Sequence, residues 1–351
     1  MEQLKVGIIG AGSISGNHLH GYAQLPQVKI QAICDLNRER AQKAADKYGA
    51  PGVYTDLKEM LAKEQLDAVS VTCWNNAHAE ASIAALQAGV NVLCEKPLAM
   101  SAKQAQLMVE AEKQSGKLLM VGFVRRFFEG TIFVKDAVDN GDLGDIYWVR
   151  TGCIRRCGNP GGWFSNSKRS GGGPVIDLSV HMVDEARYLL GKPKAVSVSA
   201  ATFNKIGSKA NTKGVSWYKS QDYDGFCDVE DAATALVRFD NGAILNVEVS
   251  WTLDTDNERT YFEMFGSKGG AVAEPYIKLM SSRGDYMTDL SPVVDGEDVG
   301  AAFDKEIAHF IECIQTGKPC RNPGQDGVEL MKILDAIYLS AKEGREVYLE
   351  D

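Results

Sequence analysis

The apolar positions of this chain follow two rhythms. Up to about residue 124, short β-branched runs recur: LKVGII at 4–9, VKIQAIC at 28–34, DAVSVTC at 67–73, VNVLC at 90–94 and KLLMVGF at 117–123. Between them HLHGYAQL, AHAEASIAALQAG and SAKQAQLMVEAEKQSG space their apolar residues as helices do. Strands alternating with helices predict an α/β unit with a doubly wound parallel sheet, whose ligands bind at the carboxyl ends of the strands. Beyond that point the runs lengthen and become β-rich: IYWVRTGCIRR, AVSVSAATF, DAATALVRF, AILNVEVSW and RTYFEMFG. In AILNVEVSW, Ala243, Leu245, Val247, Val249 and Trp251 alternate with Ile244, Asn246, Glu248 and Ser250, the pattern of an antiparallel strand with one buried face. The other face is left to solvent or to a second subunit, with pairing favoured. FDKEIAHFIECIQTG and ELMKILDAIYLSAKEG read as closing amphipathic helices, and the polar stretch 205–227 as a long surface loop.

A third pattern stands apart. GGGPVIDLSVHMVD at 171–184 joins three glycines and a proline to an apolar helical segment carrying Asp177 and His181 four positions apart. Pro174 suits a first helical position, and Asp177 in the opening turn meets the positive end of the helix dipole. The apolar residues from Val175 to Leu190 cover so much of the circumference that the helix is expected to be buried, ending near Gly191. A spaced Asp and His mark a site only when a pocket and a reacting partner face them; otherwise they are a cap and a core histidine.

A length of 351 residues exceeds what one core sustains, so two domains are expected, 1–124 and 125–351. Apolar residues at 44% and charged residues at 24% are those of a globular protein. A net charge of −9 and a pI near 5.2 leave no basic face for nucleic acid or an anionic membrane, and keep small molecules as ligands. The eight cysteines are read as reduced, with Cys34, Cys73 and Cys94 inside apolar runs. Cys153 and Cys157 form the only close pair and lack a second pair or a nearby histidine, so no metal is expected. MEQLK runs directly into a strand without a charged leader, an apolar segment or a cleavage site, and a cytoplasmic location is expected.

Two loops carry chemistry. Gly10, Gly12 and Ser15 occupy a G-x-G-x-x-S form of the dinucleotide fingerprint between a strand and a helix. Gly10 permits the turn, Gly12 lets the backbone approach a pyrophosphate, and the N–H groups of Ser13 and Ile14 face the phosphates. Asp35, at the end of the second strand, supplies the carboxylate for the ribose hydroxyls and disfavours a 2′-phosphate, so NAD is expected; Arg38 and Arg40 keep NADP open. CEKPLA at 94–99 ends the fourth strand run and points Lys96 toward the nicotinamide, where the alternative is a surface lysine beside a proline turn. A cis Lys96–Pro97 bond is expected, because X-Pro is where cis costs least.

The order of these features, GAGSIS with Asp35, CEKPLA, the GFVRRF run at 122–127 and the GGGPVIDLSVHMVD helix, resembles the Gfo/Idh/MocA oxidoreductase family over nearly the whole chain. The resemblance implies an N-terminal Rossmann domain followed by an α+β domain with a large, mainly antiparallel sheet, used for substrate binding and for assembly into a dimer or tetramer. It implies NAD(P)-dependent hydride transfer at a hydroxyl-bearing carbon of a sugar, cyclitol or related polyol. Lys96, Asp177 and His181 match the family's catalytic trio, and GFVRRF is similar to inositol dehydrogenases, which makes Arg126 a substrate candidate. Thr72, Trp74, Asn75, His78, Glu95 and Lys96 complete the cofactor-binding set; Trp74 stands where members carry proline.

His181 then takes the proton from the reacting hydroxyl, Lys96 stabilises the oxygen, and Asp177 orients Lys96 or a neighbouring hydroxyl. Which of His181 and Lys96 moves the proton is open. The three glycines are expected to let backbone and substrate approach closely. GNPGGWFSNSKRSGGG at 158–173 reads as a loop over the substrate, with Trp163 as an aromatic platform and Arg155, Arg156, Lys168 and Arg169 as possible hydroxyl or anion contacts. Two other readings share the fold: a glycosidase that keeps NAD bound and oxidises its substrate transiently, and a non-catalytic NAD(P)-sensing regulator. Retention of Lys96, Asp177 and His181 argues against the regulator.

Overall fold

The computed structural model describes residues 3–156, 158–207, 220, 225–294 and 298–349. Most of the loop expected over 205–227, and Cys157 of the close cysteine pair, lie outside the described residues.

Six strands form the first sheet: β1 (Leu4–Ile9), β2 (Val28–Cys34), β3 (Gly52–Tyr54), β4 (Ala68–Val71), β5 (Asn91–Glu95) and β6 (Leu119–Gly122). All neighbours are parallel and the order is β3-β2-β1-β4-β5-β6, so the winding reverses between β1 and β4 and opens a crevice at their carboxyl ends. The sequence rhythm gave five of these strands. GVY at β3 is three residues on the sheet edge, too short to display a period. The helices between them are α1 (Ser15–Ala23), α2 (Arg38–Tyr48), α3 (Leu57–Lys63), α4 (Asn75–Gln87) and α5 (Ala102–Ser115). Asn37, Asp56 and Ser101 cap α2, α3 and α5 through their side chains. Ile14 and Trp74, at the heads of α1 and α4, give no such cap, and these two helices follow the strands that flank the reversal.

The second sheet has nine strands: β7 (Ile146–Ile154), β8 (Ala195–Phe203), β9 (Ala232–Phe239), β10 (Ile244–Ser250), β11 (Arg259–Gly266), β12 (Gly269–Glu274), β13 (Lys278–Arg283), β14 (Tyr286–Leu290) and β15 (Val347–Tyr348). Their order is β14-β13-β12-β11-β7-β10-β9-β8-β15, antiparallel throughout except for β7 beside β10. The expected alternation holds on β10, where Leu245, Val247 and Val249 are buried, and Trp251 continues that face just past its end. The same unit contains α6 (Glu129–Asp139), α7 (Ser167–Ser170) and α8 (Val180–Leu189), with α8 against β7 and β10.

Two helices close the chain, α9 (Val299–Thr316) and α10 (Gly324–Glu343). The compact units are Met1–Phe127 with Asp298–Met331, and Phe128–Glu297 with Lys332–Asp351. The single division expected at 124/125 is therefore corrected: α9 returns to the first unit. It packs on α1, where the His18 ring lies 6.0 Å from that of Phe303 and a Cβ on Gly21 would stand 3.0 Å from Ile307. A local pattern cannot report which core an amphipathic helix will cover. Among the described residues no helix is long and apolar enough to cross a membrane.

The glycine-rich stretch departs from the expected plain α-helix. Val175–Ser179 is a π-helical turn, and α-helix begins only at Val180, so Asp177 and His181 are not related by a regular α-turn. The turn is held at its head by the buried Glu230, whose carboxylate accepts the N–H of Gly173 and of Val175, each at 3.0 Å, and the Tyr338 hydroxyl at 2.9 Å. An acceptor at the head of the turn takes amides that a helix leaves without partners. A Cβ on Gly172 would lie 1.9 Å from the Tyr338 hydroxyl, and one on Gly173 would lie 2.1 Å from the Glu230 carbonyl. These two glycines answer to internal packing, which corrects the expectation that they serve the substrate's approach. Gly173→Ala should accordingly lower unfolding free energy by about 1–3 kcal/mol or more, as read by urea denaturation, whereas an unchanged midpoint would contradict this packing.

Candidate active site

The carboxyl edge of the parallel sheet is assembled from four strand ends. After β1, Gly10 adopts φ +95°, and a Cβ there would fall 2.6 Å from the Cα and the N of Cys73 after β4. Its N–H donates to the Cys34 carbonyl at 2.7 Å, and its carbonyl accepts the Thr72 hydroxyl at 2.6 Å. Gly10 is thus fixed between the ends of β2 and β4. Gly12 has the opposite surroundings, since a Cβ there would meet no protein atom within 4 Å. Ser15, in place of a third glycine, is buried and donates to the Gly12 carbonyl at 2.7 Å.

Asp35 braces the same loop: one carboxylate oxygen accepts the Ala11 N–H and the other the Asn37 N–H, both at 2.8 Å. The Arg40 guanidinium stands 3.7 Å away, and Arg38 is exposed in the first turn of α2. Open space at Gly12, a head of α1 without a side-chain cap and no acidic residue in its first turn together fit an anionic diphosphate.

Three of the expected cofactor residues turn their side chains inward. Thr72 serves Gly10. His78 is buried with Nδ1 2.7 Å from the Pro97 carbonyl and Nε2 3.1 Å from the Cys73 carbonyl, so it struts the Lys96 loop against the end of β4. Burial lowers the His78 pKa, against the pull of the two carbonyls. Glu95 pairs with His18, Oε1 to Nε2 at 2.8 Å, while its second oxygen accepts the Lys96 N–H at 3.1 Å. Burial alone would raise the Glu95 pKa, but the bond and the charge from His18 hold it below the usual carboxylate value. His18 also reaches the Ser70 hydroxyl at 3.0 Å, which Tyr22 contacts at 2.7 Å. His18 escaped the sequence reading because only the fold brings α1 to the ends of β4 and β5.

Lys96 is partly exposed, and its bond to Pro97 is cis, as expected. Asn75 is buried in the first turn of α4, and Trp74 before it is 38% exposed. Arg126, expected near substrate, is fully buried: its Nη1 donates to Asp326 at 2.7 Å and to the Arg321 carbonyl at 2.6 Å, and its guanidinium lies over the Phe123 ring. It clamps the end of the Met1–Phe127 stretch to Arg321 and to the first turn of α10 within the same unit, which corrects the substrate assignment.

In the second unit a polar and aromatic chain runs through Asp177. The indole Nε1 of Trp251 donates to Asp177 Oδ2 at 3.0 Å; Trp251 meets Phe164 edge-on at 6.4 Å, and Phe164 stacks on Trp163 at 4.0 Å. Trp163 and Phe164 belong to the 3-10 turn Gly162–Ser165, and both are partly exposed. His181 lies in the first turn of α8, also partly exposed. Arg155 follows β7, its N–H on the Ser250 carbonyl; Arg156 and Lys168 are exposed, and Arg169 is half-buried. Sequence alternation placed Trp251 in the core, correctly; what it left out is that a buried indole N–H needs an acceptor.

A doubly wound sheet with a braced glycine loop, joined to a large mixed sheet, defines the chain as an NAD(P)-dependent oxidoreductase. It belongs to the Gfo/Idh/MocA family: the oxidoreductase family's NAD-binding Rossmann fold matches residues 4–123, and the GFO/IDH/MocA C-terminal domain matches residues 132–272. The chain is 35% identical to the D-glucoside 3-dehydrogenase of Escherichia coli (strain K12), across 99% of this chain and 97% of that protein. It is 27% identical to the myo-inositol 2-dehydrogenase of Thermotoga maritima, across 99% of each. A solved levoglucosan dehydrogenase in complex with NADH and L-sorbose superposes with a TM-score of 0.86 at 25% identity, across 100% of both chains.

Trp251→Phe keeps most of the ring volume and deletes the donor to Asp177. Stability should fall by about 1.5–3 kcal/mol, and by less in an Asp177→Ala background, as a double-mutant cycle in urea measures. Equal losses in both backgrounds would show that the contact contributes nothing.

Proposed function

We propose that the chain oxidises a hydroxyl-bearing carbon of a sugar, cyclitol or related polyol, with NAD preferred over NADP. The observation that carries this reading is the fixed Asp177 carboxylate, which leads into the helix bearing His181 and is continuous with the Trp251, Phe164 and Trp163 rings. Carboxylates that accept hydroxyl protons and aromatic faces that receive C–H groups are what a polyol requires of its site. The names of the relatives, a glucoside, an inositol and a levoglucosan dehydrogenase, support the same substrate class.

The backbone N–H groups of Gly12, Ser13 and Ile14 hold the diphosphate, with Gly10 shaping the turn. Asp35 keeps lone pairs beyond the two amides it accepts, and these take the ribose hydroxyls. Bound NAD supplies the hydride acceptor. Trp74 and Asn75 lie beside it at the head of α4, while Thr72, His78 and Glu95 act by holding the loops. Lys96, held by the grip of Glu95 on its amide, hydrogen-bonds the reacting oxygen and stabilises its developing negative charge. His181 accepts the hydroxyl proton. Asp177 has one oxygen on Trp251 and directs the other to a neighbouring hydroxyl. Trp163 receives a C–H face, and Arg155 lies close by in sequence.

The working form is a homo-oligomer in the cytoplasm. Exposed Tyr286, Met287 and Leu290 on the edge strand β14 support assembly, and the unpaired thiols among the described cysteines support a reducing compartment.

The substrate class is tested by following NAD reduction over a panel of glycosides, inositols and sugar phosphates; turnover confined to non-polyol alcohols would overturn it. Asp35→Ser should weaken NAD and improve the relative use of NADP, and an unchanged preference removes Asp35 from the ribose contact. His181→Ala should lower kcat by about 10²–10⁴ with NAD affinity nearly unchanged. A near-normal kcat beside a fallen melting temperature would return His181 to the core.

A further inference from the structure

Three metal-ligating side chains meet in the first unit, at a place the proposed reaction does not use. His309 and Cys313 lie four positions apart on α9 and so share one face of it. Gly317 ends that helix in the left-handed conformation, at φ 69°, and the chain turns back to bring Cys320 to the same pair. The His309 Nε2 and Cys313 Sγ are 3.4 Å apart, the two thiols are hydrogen-bonded, and all three ligand atoms fall within 4.8 Å of one another. No other such group of His, Cys, Asp or Glu occurs among the described residues. Sequence reading passed it over because the spacing His-x3-Cys-x6-Cys has no second close pair, and only the turn at Gly317 closes it.

We infer that His309, Cys313 and Cys320 form a site for one thiophilic divalent cation, Zn2+, bound by an imidazole and two thiolates, with water in the fourth position. Zinc–sulfur and zinc–nitrogen bonds of about 2.3 and 2.0 Å set tetrahedral ligand atoms about 3.5–3.8 Å apart. The His309–Cys313 separation is already close to this, and no pair in the cluster stands more than about 1 Å beyond it. Nε2 is oriented as an acceptor, since it takes the Arg321 N–H at 2.9 Å and leaves Nδ1 as the protonated nitrogen. Zinc takes over that lone pair in place of the Arg321 amide. Loading releases two thiol protons as the dication enters, so the local charge is unchanged and nearby Lys318 and Arg321 do not oppose it.

The site has a mechanical purpose. Cys320 opens a segment tied to the end of the parallel sheet: the Arg321 carbonyl accepts Arg126, and the Asn322 side chain donates to the carbonyls of Val121 and Phe123 and to Glu306. A metal joining Cys320 to α9 pins that segment and, through it, the end of β6.

The test uses the full chain, reduced and stripped with a chelator, with Co2+ as the spectroscopic probe. One Co2+ per chain should bind with thiolate charge-transfer and tetrahedral d–d absorption, be displaced by Zn2+, and raise the melting temperature. Cys320→Ser and His309→Gln should lose the absorption and the metal-dependent rise, whereas Cys153→Ser keeps both. Cys320 is only partly buried, and the chelated Cys320→Ser variant should melt like the chelated wild type, which separates lost ligation from misfolding. Absence of tetrahedral absorption in the wild type, or its survival in Cys320→Ser, overturns the inference.

Discussion

Everything at the carboxyl edge of the parallel sheet depends on the approach of two backbones, at Gly10 and Cys73. The winding reverses between β1 and β4, so the chain leaves these neighbours in diverging directions, and the gap is closed only where one residue has no side chain. Once Gly10 is seated, Thr72 can reach its carbonyl, the Cys34 carbonyl can take its amide, and the loop ahead arrives with Gly12 open to a ligand. The Lys96 loop is joined to the same point through His78, which spans from the Cys73 carbonyl to that of Pro97.

Buried carboxylates organise both units, and they do so in different charge environments. Glu95 faces His18, and its pKa is held down; Glu230 faces backbone amides and a tyrosine hydroxyl, and burial pushes its pKa up. At Glu95 the hydrogen bond to His18 and the charge of Lys96 help to outweigh desolvation, whereas the amides and hydroxyl around Glu230 do not. Asp35 also accepts two backbone amides, one from the glycine loop and one from the turn before α2, with the Arg40 guanidinium 3.7 Å away. In each case the acid accepts backbone amides of a turn, and at Asp35 and Glu230 it so fixes a loop that glycine would otherwise leave free.

What the sequence disclosed follows the range of the forces involved. Most strands announced themselves as β-branched or alternating apolar runs, as did the dinucleotide loop and the Lys-Pro pair, whose determinants are all local; β12 did not, since its GGAVAE carries two glycines and only one β-branched residue. β3 was too short to show a period, and the half-exposed hairpin of β13 and β14 has no apolar face to display. Arg126 was misassigned because Asp326, which neutralises it, lies far along the chain. The anchoring of the π-helical turn before α8 was invisible for the same reason: Glu230, the acceptor at its head, comes from beyond a long connection. Trp251 was legible as a core residue, but its hydrogen bond to Asp177, like the one that His18 makes to Glu95, exists only in three dimensions.

The bond between Trp251 and Asp177 has an optical consequence. The excited state of indole carries a large dipole, so its emission energy responds to the field of the carboxylate on its N–H. A hydroxyl that hydrogen-bonds Asp177, or a proton that neutralises it, changes that field at a distance of one hydrogen bond. The fold therefore contains an intrinsic fluorophore wired to the carboxylate, and events at Asp177 become readable in light without any label.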